Sequence, residues 1–413
     1  MAKVQISVPL DLDNVEVLKV EFEGETIHSH VESTLKYARC ERCGRKIMTF
    51  HGYGDWVKLQ HLPSFGRKVF IHYRPKRYEC PYCDNHPTTR QQVTWHEPNS
   101  PNTKAYDEYL LRCLVNSTVQ DVSTKERIGY DAVEGVLDRC IDRQVDWTRY
   151  PRLGVLGLDE ITRLKGHGDF ITIVSARLPD DELAILGVLA NRKKETVKAF
   201  LESIPPKLRS TIQTVCSDLY EGYLQAVHEV LPKARQVIDR FHVAKLYREA
   251  TDSLRKSELK RLKKTLSKDD YRQLKGSLWA FRKNEDDLEP KERAVLDRLF
   301  AYSPVLQQAY ALREQLTAIF EQPPFKNAAK RALREWEAQV AESGLTCFDG
   351  FLKTLHRYWE PITNYFVDLL TSGFVEGFNN KLKVLKRRCY GITNLGHLFQ
   401  RIFLDLEGYR LFA

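Results

Sequence analysis

The sequence predicts an α/β core interrupted by an all-α insertion and preceded by two smaller N-terminal modules. Three observations predict it. Between residues 153 and 189 three apolar, strand-like runs follow one another, and from 195 to 238 helix and strand patterns alternate, the texture of a sheet with mixed pairing. From 244 to about 342 the chain is charged, rich in Lys, Arg, Glu and Leu, and free of strand signals. Ahead of both, four of the nine cysteines fall into two Cys-x-x-Cys pairs, Cys40/Cys43 and Cys80/Cys83.

The elements justify themselves in chain order. Residues 15–22 alternate apolar and charged side chains and read as a half-buried strand. The segments 56–62 and 68–73, between the cysteine pairs, are strand-like. A polar, proline-containing stretch, 97–102, breaks the pattern as a linker. Helical spacing then marks 106–115, 119–127 and 131–141, with a turn at 128–130. In the α/β region the strands are 153–158, 170–174, 183–189, 212–216 and 236–238, with helices at 195–203 and 220–230 between them. Further helices follow residue 348. These breaks divide the chain into 1–96 (paired-cysteine module), 97–150 (three-helix module), 151–243 (first part of the core), 244–350 (helical insertion) and 351–413 (last part of the core). No internal repeat or low-complexity tract interrupts it.

Composition narrows the class. At 42% hydrophobic and 29% charged residues the chain can bury a sizeable core. Its longest apolar run, residues 184–190, is far too short to cross a bilayer. No apolar stretch follows Lys3, so a secretory signal is not expected, and the cytoplasm or nucleoid is the expected compartment. The net charge of +9 favours an anionic partner such as nucleic acid.

The cysteine pairs point to zinc. Two Cys-x-x-Cys knuckles offer four thiolates to a tetrahedral ion, Gly44 supplies turn freedom directly after Cys43, and the long stretch 44–79 leaves room for a hairpin. An odd cysteine count and reducing compartment argue against a disulfide framework. The remaining Cys113, Cys140, Cys216, Cys347 and Cys389 read as reduced core residues. Around the knuckles lie Arg39, Arg42, Arg45, Lys46, Arg67, Lys68, Arg74, Lys76 and Arg77, interleaved with Phe50, Tyr53, Trp56 and Phe65. That mixture suits phosphate neutralisation on a small rigid module. The three-helix segment, with Gly129 in its turn, fits a helix-turn-helix whose last helix enters the major groove. Tyr130, Asp131, Glu134 and Arg139 are its polar candidates.

Three carboxylates stand at chemically useful places. Asp159 ends the first core strand and Asp218 the fourth, where side chains project into the crevice at the carboxyl edge of an open α/β sheet. Glu376 lies on a helix with Asn380, Lys383 and Arg387 on one stripe and Phe374, Phe378, Leu382 and Leu385 on the opposite, buried one. Three acids can hold two divalent cations, and Mg²⁺ prefers such oxygen ligands.

The order of these pieces carries a resemblance. Paired cysteines, helix-turn-helix, Gly157-Leu158-Asp159-Glu160, Ser217-Asp218-Leu219-Tyr220, Asp239-Arg240-Phe241-His242-Val243 and Glu376-Gly377-Phe378-Asn379-Asn380-Lys381 together resemble the ISL-three family of bacterial insertion-sequence transposases, over nearly the whole chain. The resemblance implies a DDE enzyme with a ribonuclease-H-like catalytic core. Asp159, Asp218 and Glu376 would be the catalytic triad and hold two Mg²⁺ ions, with Mn²⁺ as a substitute, alongside one structural Zn²⁺. It also implies hydrolysis at transposon ends followed by attack of the freed 3′-hydroxyl on target DNA. Terminal inverted repeats and target duplex are then the partners, and a homodimer or larger assembly brings two ends together. The helical segment accounts for the long interval before Glu376. Asp239 and His242 fall near the same cleft as supporting residues; a hydrogen-bonded core role for His242 fits equally. In the insertion, Trp279 and Trp336 read as core, and DNA contact is the alternative there and at Arg282 and Lys283. The competing functional reading is a zinc-dependent DNA-binding regulator with an inactive core. An RNA-guided nuclease ranks third, because the cysteine module precedes the core instead of interrupting it.

Overall fold

The structure, a computed structural model, describes residues 10–164, 169–321, 325–369, 373–388 and 394–412, giving the backbone but not the side chains of 163, 164, 169, 373–379 and 386. The chain divides into two compact units, Met1–Asp142 with Phe403–Ala413, and Arg143–Ile402.

The first unit begins with a four-stranded sheet in the order β1 (Val15–Glu23), β2 (Thr26–Ser33), β7 (Arg67–Tyr73), β6 (Val57–Ser64). Only β2 and β7 run parallel. Val31, Leu59, Val69, Ile71 and Tyr73 pack under Trp95 as its core. The sequence predicts a half-buried β1, but every residue after Val15 is exposed. The strand lies at the sheet edge, and a bulge between Val17 and Lys19 shifts its register.

The cysteines sit in a smaller ribbon made of β3 (Ala38–Arg39) with β4 (Lys46–Ile47), and β5 (Thr49–Tyr53), β8 (Lys76–Glu79) and β9 (Thr88–Arg90). Its own core is only Ala38, Ile47 and Tyr78 around Cys40 and Cys80, too few side chains to order so many turns. The four thiols supply the rest. Gly44, at φ +71°, closes the first knuckle by donating to the Cys40 carbonyl at 2.8 Å. Cys40 Sγ lies 3.9 Å from Cys83 Sγ, and Cys43 Sγ lies 3.7 Å from Cys80 Sγ. A tetrahedron of 2.3 Å zinc–sulfur bonds has edges of about 3.8 Å, so the donor set fits one structural zinc ion. Backbone N–H groups of Cys43 and Arg42 aim at the Cys40 sulfur and lower its thiol to about 6, favouring thiolate.

Three helices complete this unit: α1 (Lys104–Leu114), α2 (Val119–Glu126) and α3 (Tyr130–Cys140). Thr103 and Thr118 cap the first two by accepting from the N–H groups of Tyr106 and Asp121. Arg127, in the left-handed region at φ 53°, ends α2, and Gly129 starts α3. Leu110, Leu111, Leu114, Val122, Val133, Val136 and Leu137 form the buried faces.

In the second unit β10 (Gly154–Leu164), β11 (Asp169–Arg177) and β12 (Leu183–Leu189) form an antiparallel meander. Helices α4 (Lys194–Ser203) and α5 (Pro206–Arg209) carry the chain to β13 (Ile212–Ser217), and α6 (Glu221–Val230) carries it to β14 (Arg235–Ile238). Both crossovers produce parallel pairs, so the sheet order is β12-β11-β10-β13-β14. One apolar layer joins Leu156, Leu158, Val174 and Leu186 to Val197, Leu201, Tyr223 and Val227 of α4 and α6.

The helical segment starts with α7 (Arg240–Thr265), four residues before the predicted boundary, then continues through α8 (Lys268–Arg272), α9 (Ser277–Arg282), α10 (Pro290–Tyr302), α11 (Pro304–Glu321) and α12 (Lys326–Ser343). Beyond it lie α13 (Asp349–Arg357), α14 (Trp359–Thr363), α15 (Tyr365–Asp368), α16 (Gly373–Arg388) and α17 (Leu395–Phe412). The helices share a core with the sheet: Val237 and Ile238 pack with Val243, Tyr247, Leu316, Leu333, Trp336 and Phe351. A second, smaller core around Leu262, Phe281, Leu299 and Tyr310 holds the outer part of the segment. Trp336 is core, as expected. Trp279 is 65% exposed, correcting the core expectation, because the short α9 turns Ala280 and Phe281 inward instead. Among the single cysteines only Cys216 is fully buried; Cys113 and Cys347 are half-buried, Cys140 is exposed, and Cys389 lies outside the described residues.

Asp252 of α7 is buried among cations. Arg255 Nε donates to it at 2.8 Å, Arg282 at 2.8 Å, and Lys256 Nζ lies 3.3 Å away. Burial alone would raise this carboxyl, but the Arg282 and Arg255 hydrogen bonds outweigh it and hold the group well below the usual carboxylate range. A depressed acid stabilises fully above its unfolded value near 4 and loses that contribution as pH falls through the folded value. Asp252→Asn is therefore expected to lower stability by about 1–3 kcal/mol at neutral pH. In thermal melts across a pH series, the gap to wild type should narrow below about pH 4. For the ribbon, Cys80→Ser is expected to abolish bound zinc, falling from one ion per chain by elemental analysis, and to unfold that module, because metal binding and folding are one equilibrium there.

Candidate active site and nucleic-acid interface

The parallel pairing of β10 with β13 decides the geometry. Leu158 faces Ser217 across that ladder, so the next residue on each strand, Asp159 and Asp218, lies side by side. Asp218 follows the end of β13 as expected, but β10 continues to Leu164 against β11, so Asp159, opposite Ile173, stands within its strand and not at its end. Both are buried, with Asp159 9% and Asp218 8% exposed, and their carboxyls lie within hydrogen-bonding reach of each other. The Glu160 N–H donates to Asp159 Oδ1 at 2.6 Å. Burial, and then the negative charge of Asp218, push Asp159 up to about 8.

The third edge of the site comes from β14. The Asp239 N–H donates to the Ser217 carbonyl at 3.0 Å, which ties the start of α7 to the end of β13. Asp239 caps α7 by accepting from the Phe241 N–H at 3.0 Å. One helical turn later His242 Nε2 lies 2.8 Å from Asp218 Oδ1. That hydrogen bond raises the imidazole above its ordinary value against the opposing effect of burial. One donor atom each from Asp218, Asp239 and His242 can be chosen within 4.8 Å of one another. Buried carboxylates around one point, with a histidine holding one of them, form a donor set suited to a divalent cation of oxygen preference. His242 is therefore neither distant nor merely a core residue: its side chain is 38% exposed and its partner is the central carboxylate.

Glu376 belongs to α16, which packs against β10, the strand carrying Asp159. The Glu376 side chain lies outside the described residues, as do those of Phe374 and Phe378. Further along α16, Asn380, Lys383 and Arg387 are exposed while Leu382 and Leu385 are buried, the two-sided pattern predicted for this helix.

A cation paired with Glu160, the residue after Asp159, carried no sequence signal. Arg192, just past β12, pairs with Glu160 Oε2 at 2.8 Å and is sandwiched between the Phe170 and Tyr220 rings, each 4.6 Å from its guanidinium carbon. In the sequence it is one of several bases in Asn191-Arg192-Lys193-Lys194, and nothing there marks it.

The basic residues predicted around the knuckles divide by what they already touch. Lys76 is held by Glu32 at 2.9 Å and by the Ser33 carbonyl at 2.7 Å, with 14% of its side chain exposed, so it serves the fold. Arg139 likewise pairs with Asp107 at 2.9 Å, inside a network that Asn102 completes. Arg42, Arg67, Lys68 and Arg77 are exposed or half-exposed and reach Asp84, Gly24 and Arg127 carbonyls and the Thr88 hydroxyl, respectively. Arg45 lies over Tyr82, Lys46 over Tyr37, and Arg74 over both Tyr53 and Trp56, which leaves cationic and aromatic surface exposed together. Tyr130 opens α3 and is 45% exposed.

Comparison with known proteins shows the family. The profile of the ISL3 (ISL-three) DDE transposase family, described as "Transposase", matches residues 156–402. A second profile, the "zinc-finger of transposase IS204/IS1001/IS1096/IS1165", matches residues 36–83. The chain is 28% identical over 395 residues to the transposase for insertion sequence element IS1001 of Bordetella parapertussis, covering 94% of this chain and 93% of that protein. It is 25% identical to the transposase for IS1557 of Mycobacterium tuberculosis (strain CDC 1551 / Oshkosh), covering 90% and 86%. Among solved structures, the Drosophila P element transposase strand transfer complex aligns at 11% identity and a TM-score of 0.40, covering 77% of this chain and 93% of that one. A family match over more than half the length, with the paired cysteines and the Asp159–Asp218 region both inside matched segments, settles the affiliation: the chain belongs to the ISL3 family of insertion-sequence transposases.

Proposed function

We propose that this transposase cuts and joins DNA at a single carboxylate site on a ribonuclease-H-like sheet, with Asp159, Asp218 and Glu376 as its catalytic acids. The observation that carries the reading is the buried Asp159–Asp218 pair, with Asp239 and His242 beside Asp218, where β13 and β14 end alongside the middle of β10. The strand order, an antiparallel three-strand meander followed by two parallel strands, supports the ribonuclease-H-like assignment. The donor chemistry suits Mg²⁺, with Mn²⁺ as substitute, and a pair of such ions supplies activation of the attacking oxygen and stabilisation of the leaving one.

The chain's own residues do the positioning. Asp159 and Asp218 present adjacent, largely buried carboxylates to one point. His242 fixes the rotamer of Asp218, and Asp239 anchors α7 beneath it. The loop after β12 holds Arg192 rigid between two rings. Asn380, Lys383 and Arg387 extend one exposed face of α16 beyond Glu376 and suit a DNA backbone. Hydrolysis at an end and attack by the freed 3′-hydroxyl are both in-line displacements at phosphorus, so one site serves both. The ribbon surface around Arg42, Arg45, Lys46, Arg67, Lys68, Arg74 and Arg77, with Tyr130 on α3, is the proposed reader of terminal inverted repeats in a helix-turn-helix arrangement.

The test is incubation with duplexes carrying candidate transposon ends and Mg²⁺, with breaks mapped to the nucleotide. Asp159→Asn and Asp218→Asn are expected to lower strand cleavage by ~10³-fold or more while end binding in a mobility-shift assay is retained. Glu376→Gln should behave the same way. His242→Ala, acting through Asp218, should cost about 10–100-fold and raise the Mg²⁺ concentration needed for half-maximal cleavage. Retained cleavage in Asp159→Asn would overturn the assignment.

A further inference from the structure

The four-stranded sheet of the first unit ends in an edge that its own chain, among the described residues, leaves open. Strand β1 pairs with β2 on one side only. It carries Val17, Leu18, Val20 and Phe22 at 44, 55, 47 and 69% exposure, an unusual load for a long edge strand, which is ordinarily blunted against association. The bulge between Val17 and Lys19 explains the clustering. Val17 lies opposite Val31, Val20 opposite Ser29 and Phe22 opposite Ile27, so the register shift puts all three on the face that carries the sheet's core. There they line an apolar groove of about 490 Å³ with Ile27, Phe65 and Val69. The other face carries charge: Lys19 and Glu21 pair along the strand, and His30 Nε2 meets Glu21 at 3.1 Å.

We propose that β1 is a self-association edge, pairing antiparallel with β1 of a second copy about a two-fold axis through Val20. Charge complementarity selects the partner and the register. Centring the pair on Val20 sets Lys19 of each copy opposite Glu21 of the other, twice by symmetry, in the regular part of the strand beyond the bulge. Centring it on Lys19 would instead bring two lysines face to face, a destabilising cross-strand pair. A two-fold interface needs a self-complementary surface, and the stretch Leu18-Lys19-Val20-Glu21-Phe22 has one. The occupant is therefore a second copy of this chain, joining two four-stranded sheets into one of eight strands with a continuous apolar stripe. The inference concerns assembly and depends on no step of the proposed chemistry.

Sedimentation velocity of the full chain without DNA, across the micromolar range, tests it. Wild type is expected to dimerise. Lys19→Glu and Glu21→Lys should each weaken dimerisation about tenfold or more by placing like charges opposite one another, and the double charge swap should restore it. Val20→Cys should form a chain-to-chain disulfide under mild oxidation, well above the wild-type background, since directly opposed residues bring their Cβ atoms to about 5 Å. Val20→Asp should also prevent dimerisation. Should that variant lose its fold by circular dichroism, the charge swaps at exposed positions decide alone. A monomer throughout, or a dimer indifferent to the single charge changes and unrestored by the swap, overturns the proposal, including the case in which the residues before Leu10 occupy the edge.

Discussion

The parallel ladder between β10 and β13 is the constraint from which the rest of the second unit follows. Parallel neighbours cannot be joined by a tight turn, so the chain must cross the sheet between them, and α4 and α5 make that crossing. The reward of the arrangement is that the end of β13 is set level with the middle of β10. Ser217 stands opposite Leu158, and each is followed by an aspartate. Residues far apart in sequence become neighbours without any loop having to hold them. The next parallel strand, β14, repeats the device and delivers Asp239 and, a turn of helix later, His242. Rigid elements thus supply most of the site: Asp159 stands within β10, and Asp218 and Asp239 come one residue after β13 and β14.

Most of the element order was legible because it rests on local pattern. Short apolar runs and amphipathic helices located all five core strands, α4 and α6, though not the one-turn α5 or the extension of β10 to Leu164, and the Cys-x-x-Cys spacing located the metal knuckles. What failed was information that exists only between elements. β1 alternates like a half-buried strand, yet its apolar side overhangs the Trp95 core and remains in solvent, because nothing in one strand's sequence says how far the neighbouring core extends. Lys76 looked like a phosphate ligand in a basic stretch and Arg139 like a major-groove contact on its helix; Glu32 and Asp107, distant in sequence, claim them. Arg192 was invisible for the converse reason, since its clamp is assembled from Phe170 and Tyr220 on two other segments.

The paired carboxylates were legible as residues but not as a pair. Strand-end position made Asp159 and Asp218 candidates individually, whereas the register that abuts them appears only in the sheet. Asp239 and His242 were placed near the cleft from their position after the fifth strand, and the structure adds the 2.8 Å contact between His242 and Asp218 that sequence could not supply. The four-cysteine cluster differs because its spacing already contains its geometry: a knuckle fixes two thiols locally, and only one distance, between knuckles, is left to the fold.

Electrostatics explain why such a site needs so much apolar support. Bringing Asp159, Asp218 and Asp239 together in a half-dry cleft is unfavourable, as the rise of Asp159 to about 8 expresses. The cost must be met by packing on both sides of the sheet. One layer joins Leu156, Leu158 and Val174 to α4 and α6, and on the other Val237 and Ile238 are covered by the helical segment around Trp336 and Phe351. The long helical segment before Glu376 is therefore not an appendage spliced into a finished domain. Its inner helices close the second face of the strands that end in Asp218 and Asp239, so the residues between the second and third acids help to hold the first two in place.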